Sequence, residues 1–375
     1  MLENLQTAAK PEPQPFGRPA IEFNGDEGFA TTPGLPEGAD FKDFLIDAGY
    51  NPDEITVVGT PRTSRWQRYD GEWLTSYRFS FTLNQSAIDL PTLYAQVKKT
   101  KPKASQPQTK NKAIVVCWSD TQTGKVDHRG GTPELIQRIQ EKLTALDAYC
   151  KREKPSVIYF LNVGDSIENF ESGGNPMRTN DLSLMQQIDL EATFEWDALV
   201  TLAKHAPIIA ASVGSNHCQW RVGQKRLGTT LDDWGIFIQR QLAKQAQMIG
   251  LDVKFYEPAM TDESLALEVG FGDHIVGLVH GHQASNPDRM VTWWRGQSHG
   301  DQAVSDATVL VYGHYHHLRI TETGRKNGRS RYLVQCPTLD NGSSWYRQTS
   351  GDDSDPGLLV FNLTDEPFNG TVTKL

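Results

Sequence analysis

The sequence predicts an α/β protein, with a small α+β module in front of a larger body of strands and helices. Three observations lead there. Short apolar runs (AIVVCW, VIYFLNV, IIAASV, HIVGLV, ATVLVY) read as buried strands, and the first three are separated by segments of helical period. Strand–helix alternation builds a sheet flanked by helices, and the consecutive strands that follow point to a two-layered sheet core. Each run also ends at an Asp, Asn or His, which delivers polar side chains to one edge of the sheet, where open α/β sheets build their sites.

A chain of 375 residues holds enough material for one large domain and a small one. No apolar stretch reaches the roughly 18 residues of a membrane span. The opening MLENLQTAAKPEPQPFG lacks the basic and apolar regions of a signal peptide. Cys117, Cys150, Cys218 and Cys336 show no CxxC spacing, so reduced thiols in a cytoplasmic protein are expected. A net charge of −9 argues against indiscriminate nucleic-acid binding by the whole surface, though not against a local basic track.

Residues 1–38 carry six prolines and little apolar periodicity, which reads as a disordered arm. Residues 39–95 form the α+β module. Asp40 can cap the short helix FKDFLIDAG, and ITVVGT, TSRWQRY and EWLTSYRFSFTL read as strands, the last two joined by an Asp70-Gly71 turn. Residues 96–112 hold six lysines and no acid, the pattern of a flexible basic linker. The larger body spans 113–375. Its helices fit TPELIQRIQEKLTALDAYCKR with Thr132 as N-cap, NDLSLMQQIDLEATFEWDALVTLAKHA, and the segment from Thr230 to Met248. Strands DVKFYE and SLALEVG, a hairpin HLRITE/RSRYLVQC around GRKNG, and the closing GLLVFNL and GTVTKL complete the chain.

The polar islands at the strand ends are Asp120-Thr-Gln122, Gly164-Asp165, Asn216-His217, His280-Gly281 and Gly313-His314-Tyr-His316. Two Asp, one Asn, one Gln and several His make an oxygen and nitrogen ligand set suited to divalent metals. A lone strand-end His is more often a core or surface residue, but six of the ten histidines fall between 280 and 317, where two islands lie.

In this order, D-x-Q, GD, NH, H and GHxH resemble the motifs of the calcineurin-like metallophosphoesterase superfamily, over roughly residues 113–320. The resemblance implies a four-layer α/β/β/α sandwich with its site in the strand-end loops. It implies that Asp120, Gln122, Asp165 and His316 hold one ion, and that Asp165 bridges to a second ion held by Asn216, His280 and His314. Mn is the ion expected first, with Fe, Zn or Ni compatible. Two cations about 3.5–4 Å apart can acidify a water and clamp phosphate oxygens during in-line attack. His217 is the candidate general acid for the leaving oxygen.

Three departures accompany the resemblance. Gln122 stands where many members have His, as it does in manganese-dependent members that cleave nucleotide-linked diesters and pyrophosphates. The Gly of Gly214-Ser215-Asn216-His217 comes one place early, and Cys218 replaces the usual acid, leaving Asp165 and Glu168 to orient His217. His280 and His282 both occur in HGH, and His280 is favoured because the family ligand directly precedes Gly.

Asn169, Arg178, Arg221 and His282 are candidate substrate contacts, with Trp220 and Lys225 beside them. The expected activity is dinuclear metal-dependent hydrolysis of a phosphodiester, with nucleic acid as substrate, similar to the nuclease subunit of recombination-repair complexes. A phosphodiesterase or pyrophosphatase for cyclic nucleotides or nucleotide-diphosphate conjugates is the alternative, and a non-catalytic metal-binding scaffold the second. RWQRYDGEWLTSYRF is similar to a small module on tailed-phage proteins, which suits a phage nuclease and a protein partner at the N-terminal module. No membrane partner is expected.

Overall fold

The computed structural model describes residues 20–24, 27–31, 46, 55–67, 69, 71, 73–83, 111–170, 179–222, 225–350, 353 and 355–375. The chain divides into two compact units, residues 1–88 and 89–375. Among the described residues, no helix is long and apolar enough to cross a membrane.

The first unit holds a four-stranded antiparallel sheet in the order β1 (Ala20–Asn24), β2 (Glu27–Thr31), β4 (Trp73–Leu83), β3 (Ile55–Gln67). Two expectations change here. Residues 20–31, assigned to the disordered arm, contribute a strand pair that extends the sheet by hydrogen bonding along β4, from Glu27 opposite Thr82 to Thr31 opposite Arg78. The runs ITVVGT and TSRWQRY merge into the single strand β3, with a register shift between Val58 and Arg62. Pro61 lies in that shift, where a missing N–H costs no ladder bond. Of the expected helix FKDFLIDAG only Ile46, which is helical, is described, and most of the linker lies outside the described residues.

The second unit is mixed α/β. A six-stranded sheet runs in the order β10 (Val253–Tyr256), β7 (Ile208–Ser212), β6 (Val157–Asn162), β5 (Lys112–Trp118), β16 (Leu359–Thr364), β17 (Thr373–Lys374). The four strands from β10 to β5 are parallel, and β16 closes antiparallel on β5. Lys112, expected in the linker, begins β5 opposite Thr364. A five-stranded sheet runs in the order β11 (Ser264–Glu268), β12 (Ile275–Val279), β13 (Val309–Tyr312), β15 (Arg329–Gln335), β14 (Arg319–Lys326). Its three inner strands are parallel and its two edges antiparallel.

Strand alternation sorts the core. Ala113, Val115 and Cys117 of β5 share one apolar cluster with Val276, Leu278, Val309 and Val311 of the other sheet. The opposite face of the second sheet, through Leu310, Tyr312 and Leu333, packs on Met290 and Trp294 of helix α4 (Met290–His299). Burying each such side chain is worth roughly 1.5–3 kcal/mol.

Helix α1 (Thr132–Glu153) joins β5 to β6, α2 (Leu184–Leu202) joins β6 to β7, and α3 (Trp234–Ile249) precedes β10. The N-cap of α1 is Gly131, not Thr132, because Thr132 turns its N–H and hydroxyl to Asp181. Ser183 caps α2 and Asp233 caps α3 with side-chain oxygens. A short helix, α5 (Ser344–Ser350), follows β15.

Candidate metal centre

The loops after β5, β6, β7, β12, β13 and β15 all leave the carboxyl ends of parallel strands, and every described candidate ligand lies in them. The backbone is bent to bring them in. Asp120, Gln122, Asp165, Asn169, His314 and His316 adopt positive φ between 44° and 69°. Such conformations cost non-glycine residues of order 1–3 kcal/mol each, and they gather where surrounding contacts hold a functional geometry.

One group of ligand atoms converges. Asp165, His280 and His314 each offer an atom within 4.8 Å of the others. His280 Nε2 lies 3.0 Å from Asp165 Oδ2 and 2.9 Å from Asn216 Oδ1. His280 Nδ1 faces the Val163 carbonyl at 2.9 Å, which assigns that nitrogen the proton and aims Nε2 at the two oxygens. A nitrogen set between two acceptor oxygens needs a cation there, either its own proton or a metal, so these residues fit an ion. Burial opposes charge on His280, yet Asp165 outweighs it and pushes the ring up to about 9. Burial and the neighbouring His280 push His314 down to about 3, leaving it a neutral imidazole.

His282 stands outside this group. Its ring is 5.5 Å from that of His280, and its Nε2 is 3.9 Å from Glu263, whose carboxylate accepts from Arg226 and Gln283. His280 is therefore the HGH residue that joins the ligand group.

The other expected ligands lie alongside without converging on Asp165. Asp120 Oδ1 accepts the His314 N–H at 3.0 Å and faces His316 Nε2 at 3.4 Å. His316 Nδ1 lies 3.4 Å from Asp340 Oδ2. Gln122 Oε1 accepts from Lys125 Nζ at 2.5 Å, and the same ammonium reaches Asp340 Oδ2 at 2.6 Å. An ammonium only donates, so the Gln122 amide is fixed with its oxygen on Lys125 and its NH2 3.3 Å from His217 Nε2. Burial disfavours the Lys125 charge, but Asp340 and Glu168 outweigh it and hold the ammonium protonated.

His217 donates its backbone N–H to Asp165 Oδ1 at 2.9 Å. Its Nδ1 faces the Glu168 carbonyl at 3.0 Å and the Glu168 carboxylate at 3.5 Å, so Glu168 orients the ring. Cys218 turns away into the core, where the Ile167 N–H points at its sulfur. Asn169, expected on substrate, instead donates to the His217 carbonyl at 3.0 Å and so supports the general-acid candidate. Arg221 binds Gln219 at the start of the short antiparallel pair β8 (Arg221–Val222) and β9 (Lys225–Arg226), and Arg178 lies outside the described residues.

Lys125, Asp340 and two buried glutamates are participants the motif reading missed. Glu191 accepts from Trp118 Nε1 at 2.8 Å and Thr123 Oγ1 at 2.6 Å, tying α2 to the loop that carries Asp120 and Gln122. Glu195 accepts from Asn162 Nδ2 at 2.7 Å and from Gln239, tying α2 to the Asp165 loop and to α3. Burial pushes Glu191 up to about 7, and burial with the Glu191 charge raises Glu195 well above the usual carboxylate range.

Of the basic hairpin, Arg331 is buried over Trp294, 3.8 Å from the ring centroid, and bonds the Ala307 carbonyl. Lys326 pairs with Asp306 and Arg329 with Asp273. Arg325 donates to the Gly328 carbonyl, so all four of these cations have partners within the protein.

Gly164 tests the packing. It has φ +103°, and an added Cβ would lie 2.6 Å from Ser215 Cβ and 2.7 Å from His280 Nδ1. Gly164→Ala is expected to cost about 1–3 kcal/mol of stability and to push His280 off its carbonyl. Thermal melts and metal titration of the variant check both effects.

No family model matches the sequence, and no curated protein matches it significantly. Among solved structures, the chain is similar to one of PhoD, with 9% identity and a TM-score of 0.32, over 93% of this chain and 83% of that one.

Proposed function

We propose that this protein is a metal-dependent phosphodiester hydrolase acting on nucleic acid, built on the four-layer α/β/β/α arrangement. The convergence of Asp165, Asn216, His280 and His314 beside His217 carries the reading. A bound divalent ion supplies Lewis acidity, activating a water and drawing charge from the phosphoryl oxygens.

The chain's own residues do the rest. Asp165, Asn216, His280 and His314 would hold the ion, while Asn169 and Glu168 fix His217. With Nδ1 committed to the Glu168 carbonyl, the proton that His217 can pass to a leaving oxygen is the one on Nε2. The Gln122 NH2 then stands ready to donate to the emptied Nε2. A purely structural metal site has no use for such a histidine, which disfavours the scaffold reading.

Polymer or nucleotide substrate is favoured by Trp220, three residues past His217 and 56% exposed on a hairpin that also carries exposed Lys225. An exposed indole beside a cation suits a stacked base and its phosphate.

The test is hydrolysis in Mn²⁺ of bis-p-nitrophenyl phosphate, p-nitrophenyl phosphate, single- and double-stranded DNA and 2′,3′-cyclic AMP. His217→Ala is expected to keep its metal and lose about 10²–10⁴-fold in turnover. DNA and diester cleavage lost in the variant supports the nuclease reading. Cleavage of small diesters alone moves the substrate to nucleotides, and silence with metal bound leaves the scaffold reading.

A further inference from the structure

One of the oxygens expected to hold a first metal is engaged by a side chain. Gln122 Oε1, the oxygen such an ion would need, is bound by the Lys125 ammonium at 2.5 Å. Asp340 Oδ2, which also faces His316, is bound by it at 2.6 Å. Lys125 is no surface residue swung inward. It is 8% exposed, its N–H bonds the Gln122 carbonyl, and its own carbonyl accepts from Asn341. Among the described residues, His, Cys, Asp and Glu side chains form one convergent ligand group.

We propose that this enzyme works with one divalent ion, held by Asp165, Asn216, His280 and His314, and that the Lys125 ammonium fills the second cationic position. This rests on the metal-dependent reading above and departs from the two ions that the motif order implies. A lysine is a compact point charge with three donors, and it supplies fixed positive charge beside the phosphate without a second ion to capture. It also sets Gln122 as a partner of His217 rather than a ligand. A second divalent ion at Asp120, Gln122 and His316 would have to displace or neighbour this ammonium.

The experiment is Mn²⁺ loading of the full chain, with bound metal counted after gel filtration and its electron paramagnetic resonance recorded at low temperature. The expected result is one Mn²⁺ per chain and the six-line spectrum of an isolated ion. Two ions per chain with an exchange-coupled multiline spectrum would overturn the lysine assignment and leave the hydrolase reading intact. No tightly bound ion at all would overturn both.

Lys125→Met removes the charge while keeping the length. It is expected to admit a second ion and show the coupled spectrum that the parent chain lacks. A folded Lys125→Met that still holds one isolated ion would remove Lys125 from that role. The measurement on the parent chain decides the stoichiometry even if the variant fails to fold.

Discussion

Asp165→Asn is expected to abolish hydrolysis and to weaken the ion by well over a hundredfold, while leaving the fold in place. Loss of a group that merely supports a ligand costs about 10–100-fold in metal affinity, so loss of a charged ligand costs more. The substitution is nearly isosteric. Asparagine keeps an oxygen for the His217 N–H, now 2.9 Å from Asp165 Oδ1, and turns an NH2 toward His280 in place of Oδ2. It removes the charge that holds the His280 ring protonated, leaving burial to push that ring down. Three readings follow from one change: lost turnover, lost metal, and a His280 that titrates far lower by NMR. A variant that loses turnover but still binds Mn²⁺ at parental strength would show that Asp165 is not a ligand.

The candidate group at the strand ends was legible because a buried strand that stops at a polar residue leaves few places for that side chain to go. AIVVCWSD, VIYFLNVGD, IIAASVGSNH, HIVGLVHGH and ATVLVYGHYH end at the sheet edge where Asp120, Asp165, Asn216, His280 and His314 lie. The same rule applied once more would have found Asp340. RYLVQC is an apolar run too, and PTLD after it carries the acid to the same edge beyond β15. Lys125 had a weaker signal, a Gly-Lys pair directly behind the Asp-x-Gln island, and nothing in spacing says that its ammonium points inward. Glu191 and Glu195 ran against the pattern. With Gln187 they make an i, i+4 stripe that reads as a solvated helix face, yet all three are buried. Their burial is tolerated because Trp118, Thr123, Asn162 and Gln239 donate to them, partners that no local pattern reveals.

The ion is expected to bind more tightly as pH rises toward 9, and the metal-free fold to weaken over the same range. Both effects come from His280. Its Nδ1 is committed to the Val163 carbonyl, so the ion and a proton compete for Nε2. In the metal-free protein the Asp165 charge, opposed by burial, lifts this ring to about 9, and a proton holds the place at neutral pH. The other ligands add no proton to the count. His314, pushed down to about 3 by burial and by His280, is already neutral. Asp165 lies well below the usual carboxylate range because its histidine neighbours outweigh burial. One proton thus leaves for each ion bound, so the apparent Kd should fall about tenfold per pH unit up to about 9 and then level off. Calorimetry in buffers of different ionisation enthalpy counts that proton directly.

The stability of the metal-free chain follows the opposite sign. A histidine raised from 6.5 to about 9 on folding contributes stability that is fully present below about 6.5 and lost as pH rises through about 9. The metal-free Tm should therefore drop across that window, and the metal-loaded Tm should not, since there the ion replaces the proton. A metal-free Tm that climbs from pH 6.5 to 9 would mean that no proton sits on Nε2, and the pH dependence of ion binding would vanish with it.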